Sequence, residues 1–358
     1  MGELLINYKS IKNNKNLKVI QKEYRKSHKS VKGKFPKAKL GKVVKISSQT
    51  CIGYTHTSAS ISDKMVEDPQ AIIDYIRNQE IIGLSGSGYP TANKIEAVRE
   101  AQVSKKYFII NAVACDPGLI HDAWLLEHCK KELDMGISII RKCIKFEEVI
   151  IASPLNVPSR YPMGAEKILI KHLLGVDMDK EDIPAKKGIL VLNVQTVYAI
   201  AKAFETNNKN EHRFLTIANL DTGEANVARV VQGQTVQELL KQANVIVGKK
   251  SIYAGMGVME AQKATKESEI TLQTNVIVLA SEIAQFNNDA KCKGCGACER
   301  KCPSGVSIRK IMKAVEKDQK GNLEEYGISN CIECGTCSYY CKASKNVMQI
   351  IKDLQKEG

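Results

Sequence analysis

The sequence predicts an α/β fold over its larger part, followed by a small β-rich unit and a C-terminal unit organised by cysteines. Three observations support this prediction. Before residue 209, short apolar runs alternate with helix-like runs, which is the pattern of a parallel sheet covered by helices. The spacing then changes to closely set β-rich runs. Eight cysteines finally fall into two runs of identical spacing near the end of the chain.

The α/β part is expected to begin with a helix at residues 69–78, in which Ile72, Ile73 and Ile76 share one face. A glycine-rich turn at 81–91 leads into a second helix. Each later strand is a short run rich in β-branched residues, as in buried parallel strands. The further helices are expected at 92–101, 125–144 and 165–174, and the strands at 107–111, 148–152 and 188–193.

Residues 212–279 have a different pattern, in which short β-rich runs flank one helix. This pattern suits a small β-grasp unit. The cysteine-rich end that follows contains two further amphipathic runs. The expected strands are 213–217, 225–231 and 276–279, and the expected helices are 235–242, 308–317 and 346–355.

The two cysteine runs predict two [4Fe–4S] clusters. Each run has the spacing C-x2-C-x2-C-x3-C, and Pro303 follows the first run. In proteins that carry two such clusters, three cysteines of one run bind one cube and the fourth binds the other cube. The expected ligand sets are therefore Cys292, Cys295, Cys298 with Cys341, and Cys331, Cys334, Cys337 with Cys302.

Zinc and disulfides explain these cysteines less well. A structural zinc site usually takes two separated pairs of ligands, which two dense runs do not provide. Disulfides need an oxidising compartment, and the N-terminus has no secretory signal pattern. Thiol-rich composition and oxygen-labile clusters favour the reducing cytoplasm of an anaerobe. Four cysteines lie outside the runs, namely Cys51, Cys115, Cys129 and Cys143.

The composition allows two or three domains with real cores, since the chain has 358 residues of which 43% are apolar. No run approaches the roughly 18 apolar residues of a membrane span, so the protein is expected to be soluble or peripheral on the inner face of a membrane. The net charge is +14, and residues 1–45 hold fourteen Lys and Arg against Glu3 and Glu23. This basic arm fits a solvated segment, or a surface that docks on an acidic redox partner or an anionic membrane. Nucleic acid is disfavoured, because no aromatic side chains are interleaved for base stacking.

The glycine-rich turn before residue 92 is a weak phosphate-binding signal when taken alone. Glycines let backbone N–H groups approach a phosphate, and the N-terminus of the following helix favours negative charge. The order of glycines differs from the dinucleotide pattern G-x-G-x-x-G. An ordinary tight turn is therefore the competing interpretation.

Other segments strengthen the flavin hypothesis. Four motifs lie in order along the chain, namely GLSGSGYPTANK at 83–94, NAVACDP at 111–117, YPMGAEK at 161–167 and NVQT at 193–196. They resemble G-L/V-G-G-A-G-F-P-T-x-x-K, N-G-A-E-C-E-P, Y-P-x-G-G-x-K and N-V-G-T of the RnfC-like family. That family comprises the peripheral subunit of the ferredoxin:NAD oxidoreductase (Rnf) complex and, more distantly, resembles the NADH- and FMN-binding subunit of respiratory complex I.

The resemblance implies a Rossmann-like FMN-binding domain, an SLBB β-grasp domain and an α-helical two-[4Fe–4S] ferredoxin domain. It implies a basic arm at 1–68 that is a reduced N-terminal domain, the α/β FMN/NADH-binding-like domain at 69–208, the SLBB domain at 209–282 and the cluster domain at 283–358. The FMN phosphate is expected over Gly83, Gly86 and Gly88, with Lys94 as the positive charge. The side chains expected to bond the flavin ring or ribityl chain are those of Asn111, Asp116, Asn193 and Thr196.

Three departures from the family pattern bear on NADH binding and on assembly into a membrane complex. Ala114 replaces the first acidic residue of N-G-A-E-C-E-P, which removes a carboxylate expected near the flavin and nicotinamide. Ser85 and Ser87 stand in the glycine-rich loop and narrow the space beside its backbone. Only 82 residues precede Gly83, so the family's N-terminal β domain is expected to be reduced or lost.

Several residues near these motifs are expected to have no catalytic role. His121 and Asp122 are expected to be an exposed pair at a helix start. Trp124 is expected in the core, and Cys115 is expected to pack rather than to react.

Three functions follow. The first is an RnfC-like relay that moves electrons between a flavin or NADH donor and a partner redox protein, as in paralogues that serve dedicated reductases such as proline reductase. The second is a true subunit of the membrane Rnf complex that interacts with NAD. The third is a flavin-free iron–sulfur adaptor, in which only the clusters are active.

Overall fold

The structure is a computed structural model that describes residues 4–7, 68–114, 118–153, 156–157, 161–178, 182–209, 211–258, 261–281, 286–287, 289–318 and 323–357. Most of the basic N-terminal arm lies outside these residues. So do Cys51, Cys115 and Asp116, together with the expectations that concern them.

The described residues form nine strands and eleven α-helices. The strands are β1 (Leu4–Asn7), β2 (Tyr107–Asn111), β3 (Glu148–Ala152), β4 (Ile189–Asn193), β5 (His212–Asn219), β6 (Glu224–Val231), β7 (Ser251–Gly255), β8 (Gln262–Ala264) and β9 (Val276–Ala280). The helices are α1 (Pro69–Asn78), α2 (Thr91–Glu100), α3 (His121–His128), α4 (Lys130–Cys143), α5 (Glu166–Leu174), α6 (Val194–Thr206), α7 (Val236–Gln242), α8 (Ala297–Arg300), α9 (Ile308–Glu316), α10 (Thr336–Tyr339) and α11 (Val347–Glu357).

A three-stranded parallel sheet in the order β3-β2-β4 forms the centre of the α/β part. The side chains of its middle strand alternate between two cores, with Phe108 and Ile110 on one face and Ile109 on the other. Parallel strands end at the same edge of a sheet, so Asn111 and Asn193 lie side by side in register. This carboxyl edge is where ligands of open α/β sheets bind.

Helices α4 and α6 pack closely on one face of this sheet. A Cβ atom added at Gly136 of α4 would lie 2.4 Å from the carbonyl oxygen of Val197 in α6. Such a contact is impossible for a real side chain, so a glycine is required at this crossing. The close packing holds α6, and therefore the strand end that precedes it, in a defined position.

The second sheet has six strands in the order β1-β6-β5-β9-β7-β8. Its central β5 and β9 are parallel, and the other neighbouring strands are antiparallel. Helix α7 packs Leu239 and Leu240 against the sheet. A capping box between Thr235 and Glu238 fixes the start of this helix.

The C-terminal unit contains the same arrangement twice, at a separation of 39 positions. Helix α8 recurs as α10 and α9 recurs as α11. Gly296 and Gly335, which precede the two short helices, both have positive φ, at 65° and 72°. The two halves share one apolar core, which includes Val306, Ile311 and Ile351.

The helix predicted at 69–78 and the strands predicted at 107–111 and 148–152 are found with those bounds. The single helix predicted at 125–144 was wrong, because α3 and α4 are separate and meet at Cys129. Within the described part of the chain, no helix is long and apolar enough to cross a membrane.

Helix α6 was not predicted. The Asn193 side chain caps its start by accepting from Gln195 N at 2.8 Å. Most of its residues are buried all round, so the helix lacks the one-sided apolar stripe that reveals a helix in a sequence.

Candidate functional site

A cavity of about 270 Å³ lies at the carboxyl edge of the parallel sheet. Its wall combines all three parts of the described structure: the glycine-rich loop and strand ends of the α/β part, Met256 beside the second sheet, and Cys334 of the second cysteine run. The predicted site residues that line it are Gly83, Lys94, Asn111, Asn193 and Thr196. Gly86 and Gly88 belong to the same loop.

The two asparagines at the strand ends hold the edge of the cavity together. Asn111 donates from Nδ2 to Gly164 O at 2.8 Å and accepts from Val113 N at 3.0 Å. Asn193 donates to Asp122 Oδ2 at 3.0 Å while it caps α6. Each amide uses one donor and one acceptor within the protein, so each keeps one of each for a ligand.

The glycine-rich loop is a tight turn fixed from inside the α/β part. Gly83 N donates to Tyr89 O at 2.8 Å and Gly88 N donates to Gly83 O at 3.1 Å. Thr196 Oγ1 accepts from Leu84 N at 3.1 Å, which joins the loop to α6. A Cβ atom at Gly88, where φ is 62°, would meet no heavy atom within 4 Å. Space therefore remains beside the backbone at this end of the loop.

The other end of the loop is filled by a serine. A Cβ atom at Gly83 would lie 2.4 Å from Ser87 Oγ. The Ser87 hydroxyl therefore occupies the face that Gly83 leaves open, in line with the narrowing expected from the sequence. Any phosphate has more space beside Gly88 than beside Gly83.

Lys94 is paired with an acidic residue inside the cavity wall. Its Nζ lies 2.9 Å from Glu166 Oε1, and the Lys94 side chain is 23% exposed. Glu166 stands at a position that the family motif leaves variable, and the motif therefore did not reveal it. The pair reduces the positive charge that Lys94 offers to an anion.

Residues of the second sheet support the loop from the opposite side, and the motifs did not identify them. Arg213 is 2% exposed and donates from Nη2 to Leu84 O at 3.3 Å and to Asn275 Oδ1. Asn275 donates in turn to Ser85 O at 3.0 Å. Met256 Sδ would lie 2.6 Å from a Cβ atom at Gly86. A buried Arg in a strand was the only signal available.

The expectation that His121 and Asp122 are exposed was wrong. Both side chains are buried, because Ile120 and Thr216 hold the start of α3 against β5. Burial, with the nearby Arg213 charge, lowers the pKa of His121 to about 3, so its ring is neutral and bonds Thr216 Oγ1 at 2.9 Å. Burial raises the pKa of Asp122 to about 6.

Trp124 lies in the core, as expected, and contacts His128 and Phe214 rather than the cavity.

The cysteine runs approach each other in a crossed pattern. Cys341 of the second run is an electrostatic neighbour of Cys298 in the first. Cys302 of the first run is a neighbour of Cys331 and Cys334 in the second. Burial raises the pKa of the Cys298 thiol to about 11, and coordination to iron deprotonates such a thiol.

Backbone N–H groups point at the same sulfur in each run. Gly294 N donates to Cys292 Sγ, and Glu333 N donates to Cys331 Sγ, both at 3.4 Å. Gly294 and Glu333 are equivalent positions with φ of 61° and 54°. Donors to the sulfur atoms stabilise negative charge on a cluster and raise its reduction potential.

The second run also touches the flavin-type cavity directly. Tyr161, which belongs to the third motif, donates its hydroxyl to Cys334 O. Ile332 and Glu333 line the cavity beside Cys334. One cluster ligand and the glycine-rich loop therefore face the same space.

These features fit FMN and two cubane clusters. The open side of Gly88, the spare donors of Asn111 and Asn193 and the Lys94 ammonium are groups that a phosphorylated, hydrogen-bonding ligand requires. Eight thiols in two crossed groups, with N–H donors aimed at sulfur, are the donor set of a two-cluster domain.

Known protein families match the same two regions. Residues 76–156 and 153–202 match the Nuo51 FMN-binding domain, and residues 284–342 match the 4Fe-4S dicluster domain. An FMN-binding α/β domain joined to a two-cluster domain defines an electron-transfer protein of the flavin–iron–sulfur class.

The chain is an RnfC homologue. It is 27% identical over 287 residues to the RnfC component of the ion-translocating oxidoreductase complex of Vibrio cholerae, and the match covers 73% of this chain and 37% of that protein. The corresponding Haemophilus influenzae protein is 26% identical over 295 residues, with 75% and 45% covered. The chain therefore spans about two fifths of the length of these relatives.

A solved structure shares the fold. The crystal structure of the NAD+-reducing [NiFe]-hydrogenase in the H2-reduced state aligns with a TM-score of 0.55 at 16% identity, over 80% of this chain and 61% of that one.

Proposed function

We propose that the protein is an RnfC-like electron-transfer subunit that exchanges electrons between an NADH or flavin donor and a partner redox protein. The observation that carries this proposal is the shared cavity, in which the glycine-rich loop and the Cys334 turn face each other. Electrons pass between cofactors only over short distances. A flavin site built against a cluster ligand is what such a relay needs.

FMN would be held by the loop at Gly88, by Lys94 and by the amides of Asn111 and Asn193. FMN supplies the exchange between a two-electron hydride and single electrons. The chain's own residues orient that group: Thr196 and Arg213 fix the loop through Leu84, and Asn275 fixes it through Ser85. Tyr161 holds the cluster turn against the same wall.

The proposed cluster ligands are divided as the spacing predicts. The proximity of Cys298 to Cys341, and of Cys302 to Cys331 and Cys334, supports the crossed sets. The set that contains Cys334 is the one nearer to the flavin cavity. The other set lies on the far half of the duplicated unit.

The second sheet is proposed to be an SLBB β-grasp domain at 209–282. Its mixed order, with parallel β5 and β9 at the centre and α7 packed on one face, supports this assignment. The α/β domain is then 69–208 and the cluster domain 283–358. The protein is placed in the cytoplasm or on the inner face of a membrane as a peripheral subunit.

A flavin-free adaptor is the second candidate, and two observations favour it. Glu166 compensates the Lys94 charge at 2.9 Å, and Ser87 fills the face of Gly83. Both features weaken a phosphate site relative to the family pattern. In this case the clusters alone would carry electrons.

Anaerobic purification of the chain distinguishes the two functions. The relay is expected to release about one FMN per chain on acid treatment and to contain iron for two clusters. Addition of NADH is expected to bleach the visible absorption of the clusters. A full complement of iron without flavin would instead establish the adaptor, and a preparation that binds zinc in place of iron would overturn both.

A further inference from the structure

The two halves of the cluster domain differ in charge around their cysteine runs. Six exposed cations border the first run, and we call them the cationic collar: Lys291, Lys293, Arg300, Lys301, Arg309 and Lys310. The residues 39 positions later, which border the second run, are Asn330, Ile332, Tyr339, Tyr340, Met348 and Gln349. None of these is charged, so the duplicated fold does not require the cations.

The collar stands over the turn that carries the first cluster ligands. Arg300 Nη1 donates to Cys295 O at 3.0 Å. A Cβ atom at Gly296 would lie 3.0 Å from Arg300 Nη1 and 4.0 Å from Arg309 Nη1. Two guanidinium groups therefore lie at the surface immediately beside the turn between Cys295 and Cys298.

Nearby groups hold the collar in place without neutralising it. Lys301 lies over the Tyr340 ring at 5.3 Å, and Lys310 over the Tyr326 ring at 5.5 Å. Such contacts fix an ammonium group while it remains exposed to solvent. The two nearby carboxylates already have backbone donors, since Glu299 accepts from Arg309 N and Glu316 accepts from Cys292 N.

We propose that the cationic collar is the docking surface for a small, acidic electron-carrier protein of the ferredoxin or flavodoxin kind. This inference rests on the proposed function, and it assigns the first cysteine run as the side that meets the partner. Concentrated charge of one sign steers an oppositely charged protein and orients it on contact. The exchange moves one electron from one protein to the other, and no bond is made or broken.

An anionic membrane could also meet a basic surface, but the position of the collar favours a protein carrier. The arginines lie at the cluster turn itself rather than on a remote face. Charge at that position brings a carrier's cofactor close to the cluster ligands, whereas lipid headgroups gain nothing from the proximity. Membrane binding is therefore an outcome that the experiment must separate.

The test measures binding of the anaerobically purified chain to a small acidic two-[4Fe–4S] ferredoxin by titration calorimetry. Lys293→Glu with Arg309→Glu is the collar variant. Lys249→Glu with Lys266→Glu is the matched control, with the same charge change on exposed residues outside the cluster domain. The collar variant is expected to bind about tenfold more weakly or worse at about 10 mM salt, and the control about as tightly as wild type.

Salt provides a second readout. The Debye length falls from about 30 Å at 0.01 M to about 3 Å at 1 M, so wild type and collar variant are expected to converge at high salt. Equal affinity of the two at low salt would overturn the inference. So would a collar variant that loses only its binding to phosphatidylglycerol vesicles while ferredoxin binding is unchanged.

Iron content and visible spectra check that the clusters survive in each variant. Should Lys293→Glu disturb the first run, Arg309→Glu with Lys310→Glu places both changes on α9, outside the cysteines. Clusters that are present and reducible, with affinity unaffected by either pair, defeat the collar inference alone. Absence of reducible clusters from wild type defeats the proposed function instead.

Discussion

The first cysteine run is bordered by exposed cations, whereas the second is bordered by buried aromatic and hydroxyl side chains. Both runs share the same spacing, the same positive-φ positions and the same N–H donors to sulfur. In the second half, Thr336, Ser338 and Tyr339 are buried, and Cys334 faces the flavin-type cavity. Duplication has therefore produced one half adapted to the cavity and one half adapted to solvent.

Exchange of equivalent cysteines tests that division most strongly. Cys334→Ala is expected to abolish bleaching of the remaining cluster by NADH, because this residue lines the cavity. Cys295→Ala, 39 positions earlier, is expected to leave about half of the bleaching, since the cluster beside the cavity remains. Iron analysis and visible spectroscopy measure both. Equal losses in the two variants would contradict the assignment of sides.

Removal of a support of the glycine-rich loop is expected to affect only the cavity side. Asn275→Ala removes the donor to Ser85 O and the acceptor of Arg213. Loss of buried hydrogen bonds costs about 1–3 kcal/mol, so the affinity for FMN is expected to fall by at least about fivefold. Flavin titration of the deflavinated protein measures this change. Gln273→Ala, in the same turn, is the control, and a matching loss there would contradict the role of Asn275.

The buried His121 gives the cavity side a pH-dependent stability. Its folded pKa of about 3 is below the usual 6.5, so the unfolded chain binds a proton first as the pH falls. The stability from a neutral His121 is therefore present above pH 6.5 and is lost towards the folded pKa, by up to about 1.4 kcal/mol per pH unit. The stability advantage over His121→Gln is expected to shrink accordingly between about pH 6.5 and 5.

Fluorescence of the single tryptophan measures this effect during denaturation, since Trp124 lies in α3 near His121. Buried Asp122 contributes in the opposite direction, because its raised pKa favours the protonated folded state. Comparison of wild type with His121→Gln leaves that contribution in both proteins. A stability difference that stays constant with pH would show that His121 is not kept neutral by burial.

The smallest effect is expected from making the two runs alike. Glu333→Gly gives the second run the glycine that Gly294 provides in the first, and it removes a carboxylate paired with Lys352 at 2.7 Å. A negative charge beside a cluster lowers its reduction potential, so the potential on the cavity side is expected to rise by about 20–60 mV. Redox titration followed by electron paramagnetic resonance measures the shift, and a decrease would contradict it.

Patterns of local spacing made much of the structure predictable. The helix at 69–78 has its apolar residues on one face, and β2 and β3 are short β-branched runs, so each shows its type within a few residues. Helix α6 and the break at Cys129 could not be read in this way. Burial on every side hides the period of α6, and tertiary packing decides where α3 ends.

The cysteine spacing alone determined that two clusters are expected, because a cube needs four thiolates and a tight run supplies three of them. The motifs determined which loop and strand ends form a flavin-type cavity. Only the tertiary structure decided that Cys334 faces that cavity, that Glu166 pairs with Lys94, and that Arg213 and Asn275 hold the loop. These contacts join residues far apart in the chain, so no local pattern encodes them.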